Sequence, residues 1–331
     1  INNTMIKDLS RFSFLLFLSL TLVMTSCDDD DDDDPTPPSG PTQSIVEIAA
    51  GNPDFSILVA ALTAGDLVDD LSGDGPYTVF APDNEAFDAL FAARGIDITQ
   101  DDTAKVNALI DDLGADAVIS TLNYHVIVGS EIRAGDITTQ LYPTTNATSA
   151  TGNGLSILAE PSDGTVDLNG GSAISKGATV ESADILATNG VIHRINSVLL
   201  LPNVADFARS NSNLSTLQGA LEATGLDATL ADETMSYTVF APENDAFTGV
   251  DLPADPTDIL LYHVLGEELR SSSVIGTQTT LQGGDIEIAV QPDDVTVGIT
   301  DGAGETSTIA IVDIQGTNGV VHVIEGVLLP E

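Results

Sequence analysis

The chain has 331 residues, 51 of them acidic and 9 basic, for a formal net charge of −42 at pH 7. Such a surface repels phosphate backbones and anionic headgroups, which argues against nucleic-acid binding and fits solubility in a saline medium. The hydrophobic fraction of 42% suffices for two cores, but aromatics stand at 5% and Trp is absent, so Leu, Ile, Val and Ala must build them.

The chain opens with a weakly basic stretch, Lys7 and Arg11, before an apolar run, Phe12–Met24. That run is too short to span a bilayer and reads as a signal segment over residues 1–27. It ends in Met24-Thr25-Ser26-Cys27, and small residues before a lone Cys resemble a bacterial lipoprotein signal with Cys27 as the lipidated residue. Cys27 is the single cysteine, so no intrachain disulfide forms. The spacer over 28–43 begins with the aspartate run Asp28–Asp34, which self-repulsion keeps extended. It continues through the stiff, proline-rich Pro35–Pro41. Acidic residues just after a lipidated Cys resemble the surface-export signal of Bacteroidetes lipoproteins. That resemblance implies the outer face of the outer membrane, with the periplasmic face as the alternative.

Folded sequence begins near Ser44, where Ser44 and Glu47 have capping-box spacing. Phe55, Leu58, Val59 and Leu62 then recur at helical spacing. Tyr77–Phe80 is a β-branched and aromatic strand that Ala81-Pro82 stops, since Pro82 has no backbone donor. Asp83 or Asn84 can cap a helix carrying Ala86 and Phe87 inward. Val106, Leu109, Ile110 and Leu113 mark a further helix before the pair Tyr124-His125. Beyond it the chain turns to short strands punctuated by Gly152-Asn153-Gly154, Asp163-Gly164 and Asn169-Gly170. Asp184–Ala187 and Val191–Ile195 flank Thr188-Asn189-Gly190, a strong hairpin signal.

The order of motifs then repeats, without the extra Val106–Leu113 helix, since Phe247 stands much closer to Tyr262 than Phe87 does to Tyr124. YTVFAPDNEAF (Tyr77–Phe87) returns as YTVFAPENDAF (Tyr237–Phe247), Tyr124-His125 as Tyr262-His263, and NGVIH (Asn189–His193) as NGVVH (Asn318–His322). Repetition of ordered motifs means two copies of one domain, assigned here to 44–202 and 203–331. The strand-to-helix corner is expected to form alike in both, with Pro82 and Pro242 as structural residues. Early helices and late antiparallel strands give an α+β layout.

These motifs resemble the fasciclin-like domain: TVFAP followed by AF, a central Tyr-His, and NG-[VI]-[VI]-H before VLLP. The resemblance covers the chain from Ser44 onward. It implies a β-sandwich or wedge with helices packed around it, and cell adhesion or matrix attachment rather than catalysis. It also makes Tyr124, His125, Tyr262 and His263 candidate partner-binding residues. Their apolar neighbours Val126-Ile127 and Val264-Leu265 favour a packing role instead, as in a core strand. His193 and His322 read as structural hydrogen-bonding residues in the closing hairpins, and Arg194 as a surface charge on an edge strand.

No HExxH, zinc-type Cys cluster, G-x-S-x-G elbow or phosphate loop occurs, so no enzyme is expected. No cofactor is expected either, and no EF-hand pattern occurs. Loops Asp163–Asp167 and Asp301–Glu305 are candidates for weak calcium binding only. The reading is a lipid-anchored surface adhesin whose partner is a cell-surface or matrix protein or polysaccharide. The alternative is a glycan-capture module, disfavoured by the missing Trp, and a purely structural or periplasmic protein is the third.

Overall fold

The computed structural model describes residues 40–173, 176–291 and 297–331. The signal segment with Cys27 and the aspartate run lie outside the described residues, as does the spacer up to Ser39.

The N-terminal half starts with α1 (Ile45–Gly51), which carries the expected capping box. Ser44 Oγ accepts from the Glu47 amide, and Glu47 Oε2 accepts from the Ser44 amide. Helix α2 (Ser56–Ala64) follows, and then strand β1 (Tyr77–Pro82). The strand runs on through Ala81 and stops at Pro82, its last paired residue, opposite Ile195. A missing N–H is tolerated at a strand's end. Asp83 caps α3 (Asn84–Ala93) by accepting from the Ala86 amide. Helices α4 (Asp102–Leu113) and α5 (Ala115–Tyr124) lead into β2 (Val126–Val128). The rest is strand: β3 (Thr144–Thr148), β4 (Gly154–Ser156), β5 (Ala159–Ser162), β6 (Thr165–Leu168), β7 (Ala178–Ala187) and β8 (Gly190–Ile195).

Six of these strands form one sheet in the order β2-β1-β8-β7-β6-β5, and β3 pairs with β4 apart from it. The late strands are antiparallel, but β1 and β8 pair in parallel, a contact between distant segments that hairpin signals could not show. Strand β8 is therefore central, and Arg194 does not sit on an edge strand as the sequence suggested. Register shifts bend β7 between Val180 and Ile185.

Each side of the sheet is covered. Val79, Ala81 and Ile192 face the helical core with Phe55, Leu58, Phe91 and Leu122. Phe80, Ile127 and Ile195 face the other way, against Leu155, Ile157 and Leu168. Strict alternation along β1 thus feeds two cores from one strand.

The C-terminal half repeats the plan: α6 (Val204–Ser210), α7 (Ser215–Thr224), α8 (Leu226–Leu230), β9 (Tyr237–Pro242), α9 (Thr257–Tyr262), β10 (Val264–Leu265), β11 (Gly276–Thr279), β12 (Asp285–Val290), β13 (Val297–Thr300), β14 (Thr306–Gly316) and β15 (Gly319–Ile324). Its seven-stranded sheet runs β10-β9-β15-β14-β13-β12-β11, with β9 and β15 again parallel. Two steps of the helical region fail to repeat: α4 (Asp102–Leu113) has no counterpart before α9, and the corner helix is shortened. After Pro242 the chain makes only a 3-10 turn, Asn244–Phe247, where the first half has a helix. Glu243 stands at the cap position and makes no side-chain cap, unlike its shorter counterpart Asp83.

Candidate functional site

The repeated motifs converge on one corner in each half, where a helix ends and an edge strand begins. Tyr124 is the last residue of α5 and His125 caps its C-terminus; Tyr262 and His263 do the same for α9. All four side chains are buried, Tyr124 at 0% exposure and Tyr262 at 1%. The Tyr124 hydroxyl donates to the Ser156 carbonyl at 2.8 Å and accepts from Asn169 Nδ2 at 3.0 Å. Burial pushes its ionisation far above the ordinary range. The Tyr262 hydroxyl donates to the Asp285 carbonyl at 2.6 Å.

The histidines are held as single neutral tautomers. His125 Nδ1 lies 2.7 Å from the Thr121 carbonyl and must donate to it, while Nε2 accepts from the Leu199 amide at 2.9 Å. His263 repeats this with the Ile259 carbonyl at 2.7 Å and the Leu328 amide at 2.8 Å. Each ring ties the end of its helix to the segment leaving the last strand. Burial pushes the pKa of both down to about 4.

His193 and His322 take the opposite tautomer. Nε2 of each donates to the carbonyl of Ile132 or Leu269, at 2.9 and 3.0 Å. Nδ1 accepts from the amide of Asp184 or Asp313. Their rings stack on Phe80 and Phe240 with centroids 5.6 Å apart in both halves. Burial lowers both pKa values.

Three positions of the repeated motifs matter more than the sequence reading allowed. The Asn of each NG turn points inward and away from its hairpin. Asn189 Oδ1 accepts from the Ile45 amide at the start of α1, and its Nδ2 donates to the carbonyls of Leu71 and Gly73. Asn318 makes the same three bonds to Val204, Leu230 and Asp232. The glycine that follows sits at φ 152° or 150°, where a Cβ would meet the carbonyl oxygen of Tyr77 or Tyr237 at 2.1 or 2.0 Å. Thr78 and Thr238 are likewise buried, each bridging to the loop after β2 or β10. The available signal was their identity in both copies.

Beside the first corner lies a groove of about 350 Å³. Leu67, Leu71 and Val126 line it, with Asn123 and Asn146 at the rim and Val128 54% exposed at its lip. The candidate calcium loops use their carboxylates locally. Asp301 accepts from the amides of Glu305 and Leu329, and Asp167 accepts from the Thr179 hydroxyl. Among the described residues no group of three or more His, Cys, Asp or Glu is placed to hold a metal ion. Arg194 reaches Glu181 at 2.7 Å and lies near Asp54 and Asp83.

The model of the fasciclin domain matches residues 53–202 and 212–330. The chain belongs to the fasciclin-domain family. It is 41% identical over 163 residues to Protein sll1483 of Synechocystis sp., covering 48% of this chain and 74% of that protein. It is 26% identical over 279 residues to transforming growth factor-beta-induced protein ig-h3 of Sus scrofa, covering 79% of this chain and 36% of that protein. Human periostin is 25% identical over 293 residues, with 87% and 31% covered. The chain thus spans about a third of these two animal relatives' length. A solved fasciclin domain pair from the insect cell adhesion molecule Fasciclin I aligns with TM-score 0.48 and 20% identity, over 82% of this chain and 95% of that one.

Proposed function

We propose that this chain is a surface lipoprotein that attaches cells to one another or to an extracellular matrix through its two fasciclin domains. The observation that carries the reading is the pair of fasciclin domains, which fills most of the chain. Cys27 after an apolar signal segment supports a lipid anchor, and the acidic spacer supports exposure at the outer membrane surface. Among the described residues no single helix is long and apolar enough to cross a membrane.

In this proposal the Tyr-His pairs work from inside. They fix the helix-to-strand corner whose outer surface, around Asn123, Val128 and the adjoining groove, meets the partner. Two domains on one anchor raise the effective concentration of the second contact once the first has formed. The matching experiment coats beads with the Ser44–Glu331 fragment and measures retention on producing cells, with soluble fragment as competitor. Competable retention is the expected result. Retention no better than bare beads removes adhesion between like cells and favours a glycan or a foreign matrix as ligand.

A further inference from the structure

We infer that the two fasciclin domains form one rigid body, locked by a joint that domain 1 is built to make and domain 2 is not. The inference is independent of the adhesion reading. Tandem domains joined by a short linker move freely unless their shared face is well packed and specific. Here Tyr142, from the segment before β3, packs against the core of the second domain. Its hydroxyl accepts from Asn211 Nδ2 at 2.6 Å. The Ser156 hydroxyl, on β4, accepts from the Gln315 amide at 3.0 Å, with both residues buried. Lys176 Nζ reaches across to the buried Asp206 carboxylate at 2.8 Å and donates to the Leu201 carbonyl in the linker at 2.9 Å. Asp206 also holds Arg209 at 2.8 Å, so its charge is balanced from both sides of the joint.

The repeat shows that this face is purpose-built. Leu186 in domain 1 occupies the β-ladder position of Gln315, one residue before the hairpin's last pair, yet Leu186 is 40% exposed and Gln315 is 0% exposed. Tyr262 bonds the carbonyl of Asp285 as Tyr124 bonds that of Ser156, yet Asp285 lies open. In domain 2, β11 turns back into β12 through a short hairpin closed at the Thr279–Asp285 pair. Domain 1 extends the same hairpin beyond the equivalent Thr144–Ser156 pair to Thr148 and Gly154, and the β4 arm of this longer hairpin packs on β14. The contact is therefore made once and not passed on. Its consequence is that the two Tyr-His corners stand at a fixed separation; on the adhesion reading, bivalent binding then selects partners by spacing as well as chemistry.

The test uses the full chain. Spin labels go on Thr138→Cys and Asp258→Cys in a Cys27→Ser background, and pulsed dipolar spectroscopy reads the distance between them. A single narrow distribution is expected, broadening in Tyr142→Ala/Lys176→Ala. Calorimetry of the unlabelled protein is expected to show one transition whose van't Hoff and calorimetric enthalpies agree. In the double variant the van't Hoff value drops to about half the calorimetric one as the domains unfold separately. A broad distribution or two transitions in the unaltered chain overturns the inference. A double variant that stays narrow and cooperative overturns the role given to these residues. If that variant fails to fold, the unaltered chain's distances still decide the main point.

Discussion

Mild acid is expected to destabilise this protein through two residues, His125 and His263. Each is sealed in the core as a neutral ring with both nitrogens engaged, and each has its pKa pushed to about 4 from an ordinary 6.5. The unfolded chain therefore binds more protons than the folded chain between these values, and stability rises with pH across that window. The contribution is complete above about pH 6.5 and drains away as pH falls toward 4. Between pH 7 and pH 5 each ring costs about 2 kcal/mol of folding free energy, or about 4 kcal/mol together. His193 and His322 are shifted in the same direction and add to the loss. An opposing effect comes from the net charge of −42, since acid neutralises carboxylates and relieves self-repulsion. Working in 1 M NaCl shortens the screening length to about 3 Å and suppresses that effect. Urea unfolding at pH 7, 6 and 5 in this salt measures the slope directly. His125→Gln/His263→Gln, uncharged at every pH, is expected to lose most of it. Equal stability at pH 7 and 5, or a slope that survives in the double variant, would refute the reasoning.

Other expectations follow from the same geometry. Asn189→Ala strands the Ile45 amide and the carbonyls of Leu71 and Gly73, and is expected to cost on the order of 3 kcal/mol in urea unfolding. Asn318→Ala does the same to the second domain. Gly190→Ala drives a methyl into the Tyr77 carbonyl and is expected to cost more than about 4 kcal/mol, read as loss of folded protein by circular dichroism. Tyr124→Phe removes the buried hydroxyl that donates to the Ser156 carbonyl, for about 1–3 kcal/mol in urea unfolding. At pH 7, added NaCl is expected to raise the melting temperature, because screening relieves repulsion among so many carboxylates.

Reading the residues alone revealed the duplication, the family and the α+β class. It did so because the motifs that build the fold are local and written twice. The capping box at Ser44 and Glu47, the Val106–Leu113 helix and the Thr188-Asn189-Gly190 hairpin turn are encoded within a few residues of one another. What the sequence left open depends on pairing between distant segments. That β8 is central and parallel to β1 is decided when the end of a domain returns beside its beginning, which also moves Arg194 off an edge. That Asn189 caps a helix begun at Ile45 is decided by a bond across the whole domain. The Tyr-His pairs read as packing residues first, with partner contact as the other role, and the fold places the hydroxyl and both ring nitrogens of each pair on backbone groups inside its corner. Composition and spacing fix which groups need partners, but only the closed chain fixes which partners they find, because burial makes each unpaired polar group too costly to keep.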